Sequence, residues 1–525
     1  MSGSTPVQLR LGVRGGVPEI DFSSDLVGWG MDLPAPLNKA AAAALPLRLR
    51  TNVERFDGAR AVADRWLLQL GKGPEQIVDL DWRRDLRAEP VVVSGHAWVG
   101  AAPREPIKTP ARGWDASVRL PVLDIDAWQA TWASVGGPTP VAPAAPGPTP
   151  APTPSTAYWP RQVRAEIDTL RAGRRSLGPL ALQARHEAGE WVANVSAKEA
   201  QGELRLRLPT PDKVAHVHAR LSHLTVPAAD TQAAKAEVQA VVDQPTSIPS
   251  LDVVVERLSV GPLDLGRLEI EAQQQDSGDQ HSWFLRRLRM TLPEATLNAS
   301  GQWAWVASAD ARSTGLTFDL DIRDAGALLT RMGQPGNLNG GKGQVSGTVA
   351  WAGSPITPDL PSLSGQWALN LKDGQILKIK PGAGRLLGVL SLQTLPRLFV
   401  LDFRNAFVQG FVFDEFSGTV DVAQGVATSQ DLRIRSLLVD VHTQGQINLV
   451  RREQDLDVMI VPEINVGAAS LGMIAVNPVL GWSTLLAQVL MRTPLKNKVT
   501  QHMQVTGTWA DPQVTKISPL ARKAP

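Results

Sequence analysis

The sequence predicts a mainly β fold: an elongated, curved antiparallel sheet forming an apolar groove, with a few short helices near the C-terminal end. Apolar and polar residues alternate with a period of two in many short segments, as in strands that have one apolar and one polar face. The 45 glycines and 40 prolines are scattered along the 525 residues, which favours many turns over long helices. Because helical patterns are few, little of the chain is left to cover the apolar face of such a sheet.

Two-residue alternation is clearest after the first third of the chain. In residues 204–208 (LRLRL) leucines alternate with arginines, which predicts a strand with one solvent-exposed face. The same pattern returns in residues 366–372, 418–422, 445–449 and 455–460. The residues that we expect to line the concave apolar face are Trp367, Leu369, Leu371, Val420, Val422, Ile447, Leu449, Leu456, Val458 and Ile460.

Several of these segments share a phrase in which glycine precedes Trp or a branched residue. Examples are Gly301-Gln-Trp, Gly365-Gln-Trp, Gly418-Thr-Val and Gly445-Gln-Ile. The distance between the glycines varies, so a fixed-period solenoid is not predicted. We interpret each glycine as a turn or bulge and the apolar residue after it as the start of a new strand. Chance, in a chain rich in both residue types, is the alternative.

A proline-rich segment divides the chain. Residues 136–157 contain eight prolines and no charge, the composition of an extended spacer or a looped insertion. The segments that we predict are an N-terminal β-groove segment with a helix (1–135), the linker or loop (136–157), a middle β-groove segment (158–300) and a C-terminal β segment with apolar helices (301–525).

Four segments are helix candidates. Residues 382–398 and 470–491 are apolar nearly all round, whereas 53–70 and 231–243 have the pattern of amphipathic or surface helices. Residues 464–491 contain no charge but are interrupted by Asn-Pro, which favours either a broken helix that caps the sheet or an interfacial segment. The residues that we assign to these end helices or to membrane contact are Arg385, Leu386, Leu387, Leu390, Arg397, Trp482, Leu485, Leu486, Arg492 and Lys496.

Composition and motifs argue against catalysis and nucleic-acid binding. The 53 basic and 51 acidic residues nearly cancel, and the absence of cysteine excludes thiolate metal sites and disulfides. Residues 336–343 approach a phosphate-binding loop, but no Ser or Thr follows Lys342, so a tight hairpin turn is predicted there. We expect His216, His218 and His223 to lie on a solvent-exposed strand face rather than in a metal site. We therefore expect no enzyme activity, no metal and no cofactor.

An ordered series of phrases in the second half of the chain points to a known family. It comprises residues 361–365 (PSLSG), 372–376 (KDGQI), 381–397 (PGAGRLLGVLSLQTLPR), 401–404 (LDFR) and 410–414 (GFVFD). The chain resembles the C-terminal portion of YhdP-type AsmA-like proteins. Two further matches are 505–512 (VTGTWADP) and 33–37 (LPAPL).

The resemblance implies a function and a location. It implies an elongated periplasmic β-groove, anchored in the inner membrane through an N-terminal segment that this chain lacks. It also implies non-enzymatic phospholipid transport between inner and outer membrane, with acyl chains as the ligand and membrane contact. The alternative that remains open is an envelope scaffold or chaperone that aids outer-membrane protein assembly by binding strands along its edge.

Overall fold

The protein consists of two compact units that are both rich in β-strand. Strands hold 71% of the described residues. Each unit is built on a curved, open sheet, which confirms the predicted mainly β class. The residues that the computed structural model describes are 2–87, 91–103, 108–134, 159–173, 175–210, 213–226, 248–277, 280–306, 311–355, 358–377, 411–437, 439–462 and 500–517.

Unit 1 contains sixteen described strands and one α-helix, α1 (Ile125–Ser134). The strands are β1 (Ser2–Gly3), β2 (Gln8–Arg14), β3 (Val17–Ser24), β4 (Trp29–Gly30), β5 (Leu47–Asp57), β6 (Arg60–Leu70), β7 (Val78–Asp85), β8 (Val91–Gly100), β9 (Gly113–Asp124), β10 (Gln162–Ala172), β11 (Arg175–Leu177), β12 (Leu180–Glu187), β13 (Glu190–Ala197), β14 (Ala200–Arg207), β15 (His216–Val226) and β16 (Ser250–Val260).

The main sheet of unit 1 is one ladder that follows the chain. It runs from β2 through β3 and β5 to β10, then through β12 to β16, and each strand pairs with the next. Most pairs are antiparallel, but β8–β9, β9–β10 and β15–β16 are parallel. Parallel neighbours need a crossover connection, and the connection from β9 to β10 contains α1.

Unit 2 contains twelve described strands and a short helix, α2 (Ala325–Arg331). Each strand pairs antiparallel with the next one along the chain, which gives an open meander. The strands are β17 (Leu263–Ser277), β18 (Gln280–Thr291), β19 (Ala295–Val306), β20 (Ala311–Ile322), β21 (Leu338–Ala352), β22 (Ser364–Ile376), β23 (Phe411–Ala423), β24 (Val426–Arg435), β25 (Val439–Asn448), β26 (Glu453–Pro462), β27 (Gln501–Thr508) and β28 (Pro512–Ile517).

The helix predicted over residues 53–70 is wrong. That segment forms most of the hairpin of β5 and β6, whose turn contains Gly58 with φ of 59°. A left-handed glycine after Asp57 is a strong hairpin signal, and it outweighs the helical spacing of the apolar residues. The candidates at 231–243, 382–398 and 470–491, like the linker at 136–157, lie outside the described residues.

The apolar core of unit 2 is concentrated where α2 packs on the sheet. Asp324 caps this helix by accepting a hydrogen bond of 2.9 Å from the Ala327 backbone N–H. Ala325 and Leu328 then pack with Leu371 and other residues of the neighbouring strands. The helix therefore covers only one end of the apolar face of β20 to β23.

Candidate functional site

Nine of the ten predicted lining residues lie on one face of the unit 2 meander. Trp367 lies directly opposite Val420, and directly opposite residues of paired strands share a face. Ala427 pairs with both Val422 and Ile447, which carries the same face from β23 across β24 to β25. Leu456, Val458 and Ile460 continue it on β26, opposite Gly445, Thr443 and Val441. Leu449 lies just beyond the end of β25.

These ten residues differ in how deeply they are buried. Leu371, Val422 and Ile460 have exposed fractions of only 7%, 4% and 3%. Leu371 belongs to the cluster under α2, and Ile460 packs with Val439 and Met503. The other seven are half-buried. The face is therefore packed core near α2, at Val422 and at Ile460, and partly accessible elsewhere.

The opposite face of the same strands is polar and cross-linked. Gln366 donates to Asp421 over 2.7 Å, and Arg435 pairs with Glu415 at 2.7 Å. Burial by itself would raise the pKa of Asp440, but hydrogen bonding from Arg433 and the nearby positive charges hold that pKa below its usual value. Because one face carries ion pairs and the other carries apolar side chains, the sheet of unit 2 is amphipathic.

Three of the four recurrent glycines lie well inside strands, whereas Gly365 is the second residue of β22. Gly301, Gly418 and Gly445 are internal residues of β19, β23 and β25, so the interpretation that a new strand begins after each glycine is wrong. An added Cβ at Gly301 would lie 2.1 Å from a backbone oxygen of the paired strand. The glycines are therefore needed for close approach between strands.

Unit 1 has an apolar face for which the sequence reasoning named no lining residues. The directly opposed residues of its ladder form an unbroken apolar row across eleven strands, from β5 to β16 with β11 left out. All of them are buried or half-buried. The row consists of Leu49, Leu68, Leu80, Ala97, Ala116, Val163, Ala184, Ala193, Leu204, Ala219 and Val253.

A second row lies beside the first and is nearly as apolar. It runs from Leu47 and Leu70 to Leu221 and Val255, with Gly202 as its smallest member. The alternation on each strand was visible in the sequence, but many members are alanines, whose contribution to an apolar pattern is weak. Only the register of the ladder brings them into line.

Within each unit, no second large sheet covers the apolar face in the part of the chain that the structure describes. The two-stranded sheet of β1 and β4 lies at one edge of the face of unit 1, where Trp29 packs against the cluster that contains Leu70. Each strand contacts its neighbours in the ladder, α1 packs mainly on β10, and α2 packs mainly on β21 and on nearby residues such as Leu371 of β22. In a sandwich, a second sheet about 10 Å away would close the face. The apolar faces of both units are therefore open over part of their area.

Other candidate residues have a simpler setting or lie outside the described residues. His218 lies on β15 with its Nδ1 3.0 Å from an oxygen of Asp252, and the described residues include no cluster of three potential metal ligands. Residues 338–343 belong to strand β21, so the hairpin predicted over 336–343 is wrong. No described helix is both long and apolar enough to cross a bilayer. The predicted end-helix and membrane-contact residues, from Arg385 to Lys496, lie outside the described residues.

This architecture defines a class of protein in which each unit is an open β-ladder with one polar face and one apolar face, and the described chain leaves part of the apolar face uncovered. The chain belongs to the YhdP protein family, whose family model matches residues 1–514. It is also similar to the intermembrane phospholipid transporter YhdP of Escherichia coli (strain K12), with 30% identity over 229 residues. That alignment covers 43% of this chain and 18% of the relative. No solved structure gives a significant match.

Proposed function

We propose that this chain forms part of a conduit for phospholipids between the inner and outer membranes, in which acyl chains lie against the apolar faces of its sheets. The observation that carries the proposal is the unbroken apolar row across unit 1, which no described second sheet covers. Family membership supports it, because a relative is named as an intermembrane phospholipid transporter. The sites proposed are this face and the face of Trp367 to Ile460 in unit 2.

The energetics favour a surface of this kind. Each methylene buried from water contributes about 0.8 kcal/mol, so a chain of ~16 carbons in water is disfavoured by roughly 10 kcal/mol. Transfer from a bilayer to an apolar face exchanges one apolar environment for another and is nearly neutral. The conduit lowers the barrier by keeping the chain out of water throughout, and this requires no catalytic residue.

The proposed location follows the same reasoning. A conduit between two membranes lies in the periplasm, with an inner-membrane anchor upstream of this chain. The charge-free residues 464–491, followed by Arg492 and Lys496, are the proposed contact with a membrane surface.

The test is to measure bound phospholipid on the purified chain with a charged lining residue. Val458→Asp places a carboxylate on the apolar face of β26, whereas the matched Met459→Asp places it on the polar face of the same strand. A carboxylate against an acyl chain is strongly disfavoured, so we expect Val458→Asp to lower lipid occupancy of the unit 2 face at least about tenfold and to leave lipid on the unit 1 face in place. Met459→Asp should retain wild-type occupancy.

Native mass spectrometry after incubation with phospholipid vesicles gives the occupancy, and circular dichroism verifies that both variants are folded. Wild-type chain without bound phospholipid would contradict the proposal, as would equal occupancy in both variants. Binding of unfolded peptide that is unaffected by either substitution would favour the strand-binding chaperone instead.

A further inference from the structure

The residues on the apolar face of unit 1 change in chemical character along strands β6 and β7. Along β7 they are, in order, Val78, Leu80, Trp82 and Arg84. Along the paired strand β6 they are Leu70, Leu68, Trp66 and Asp64. Over these four positions both strands therefore pass from aliphatic to aromatic to charged.

The aromatic residues of neighbouring strands lie side by side. Trp66 is directly opposite Trp82. The ring of Trp82 then reaches over Gly95 on β8, so that its centroid is 4.9 Å from that of Trp114 on β9. An added Cβ at Gly95 would lie 2.8 Å from Trp82 Cδ1, so only glycine leaves room for this contact.

The row continues on the far side of β10. His186 and Trp191, which pair directly across β12 and β13, have ring centroids 5.2 Å apart. Trp159 packs on both, with centroid distances of 5.1 Å and 6.0 Å. Arg161 joins the two parts, since its N–H donates to the Trp114 carbonyl and its carbonyl accepts from His186. We call Trp66, Trp82, Trp114, Trp159, His186 and Trp191 the aromatic row; all six are half-buried.

Beyond the aromatic row the same face carries a charged pair, next to the buried side chains of Val53 and Val62. Arg84 binds Asp64 through two hydrogen bonds of 3.0 Å and 2.7 Å, and its guanidinium lies 4.5 Å from the centre of the Trp66 ring. Trp66 Nε1 donates to Asp64 over 3.0 Å. The Asp64 side chain is 3% exposed, but that of Arg84 is 19% exposed. A cation therefore remains partly accessible next to the aromatic row.

The opposite edge of the face is closed between β5 and β7. Leu26 and Met31, in the segment between β3 and β5, are 2% and 7% exposed and pack against Leu70. Ile77 and Val78 belong to the same cluster. The aliphatic end of the face is thus sealed by the chain, while the aromatic end borders charged groups.

The width of the aliphatic region matches half a bilayer. From Val78 to Trp82 the strand advances ~13 Å, and from Leu120 to Trp114 on β9 it advances ~20 Å, at about 3.3 Å per residue. The hydrocarbon core of a bilayer is about 30 Å thick, so the acyl chains of one leaflet span ~15 Å. An acyl chain that lies along a strand therefore fits between the sealed edge and the aromatic row.

We propose that the aromatic row binds the glycerol-ester and phosphodiester region of a phospholipid whose acyl chains lie along the strands. The inference rests on the proposed function and adds the orientation of the lipid. Indole rings combine an apolar body with a polar N–H, which is why Trp is enriched where hydrocarbon meets water. The guanidinium of Arg84 suits a phosphate oxygen at the end of such a row. Movement then runs across the strands, with the head group passing from one aromatic side chain to the next.

The absence of cysteine permits a direct test with single labels. Trp191→Cys places a bimane fluorophore in the aromatic row, and Ala197→Cys places one at the other end of the same face of β13, ~20 Å away. Val192→Cys is the matched control, because it lies on the opposite face of the same strand. His186→Cys gives a second position in the row should the loss of the Trp191 indole disturb folding.

Each labelled full chain is loaded with phospholipid that carries a nitroxide quencher either on the head group or near the end of the acyl chain. We expect the head-group nitroxide to quench the label at 191 or 186 at least about twofold more than the acyl-chain nitroxide. The order should reverse at 197, and both nitroxides should have little effect at 192. The opposite order, or equal quenching at 191, 186 and 197, overturns the orientation. If native mass spectrometry detects no bound lipid on the unlabelled chain, the proposed function itself fails.

Discussion

Because Gly95 has no side chain, adding one at this position is a direct test of the packing in the aromatic row. In Gly95→Ala the new Cβ would lie 2.4 Å from the Asp81 carbonyl oxygen and 2.8 Å from Trp82 Cδ1. The oxygen belongs to the paired strand, so either the strand or the indole must move. Such overpacking costs about 1–3 kcal/mol, and loss of the Trp82–Trp114 contact adds about 0.5–1.5 kcal/mol. We expect the local stability of β7 and β8 to fall by roughly 2–4 kcal/mol.

Hydrogen exchange of the backbone amides in β7 and β8 measures this local stability, and near-ultraviolet circular dichroism reports on the packed indoles. Gly315→Ala is the matched control, because a Cβ at this strand glycine meets no atom within 4 Å. We expect the control to change stability by less than about 0.5 kcal/mol. Wild-type exchange rates together with a wild-type dichroism spectrum in Gly95→Ala would refute the argument that glycine is required there.

Three further predictions concern stability and self-association. Phe413 is 1% exposed, so Phe413→Ala should lower the free energy of unfolding by about 3–5 kcal/mol in urea titrations, whereas Val412→Ala, at a side chain 60% exposed, should change it little. Hydrogen bonds from Arg331 lower the pKa of Glu294, so their contribution is present above the ordinary value of 4.5 and is lost as pH falls below it. The thermal midpoint of Glu294→Gln should therefore lie below wild type at pH 7 and approach it in acid; a gap independent of pH would contradict this. Leu11, 70% exposed on β2, has a paired neighbour only on β3 among the described strands, so Leu11→Lys should reduce light scattering after heating and leave the unfolding midpoint unchanged.

The sidedness of individual strands could be predicted from the sequence because it is a local property. On β22 the even-numbered residues from Gln366 to Lys372 are exposed, while Trp367, Leu369 and Leu371 are half-buried or buried. A period of two fixes which residues share a face, whichever strands lie alongside. The mainly β class follows from the repetition of this pattern and needs no knowledge of pairing.

The position of one strand against another could not be predicted in the same way. Trp82 and Trp114 are separated by a whole strand, and their contact depends on Gly95 and on a parallel pair, β8–β9, that no local pattern specifies. The alanines of the apolar row in unit 1 likewise form a continuous apolar surface only because the register places them opposite one another and opposite other apolar residues. The sequence reasoning therefore named lining residues only in unit 2, where large apolar residues alternate strongly, and named none on the more continuous face of unit 1.

Three strand glycines of unit 2 link the apolar character of a face to its curvature. Gly365, Gly418 and Gly445 have φ of 152°, 157° and 139°, a region that side chains rarely allow. All three lie on the apolar face of unit 2, and Gly418 and Gly445 lie directly opposite the large residues Leu369 and Leu456. Removing a side chain beside a large one relieves crowding on that face, which lets the sheet bend toward it. The long charged side chains on the other face have most room when that face is convex. A lipid held on the apolar face, as proposed, would then lie in a sheet bent by its own backbone, without a second layer to hold the curve.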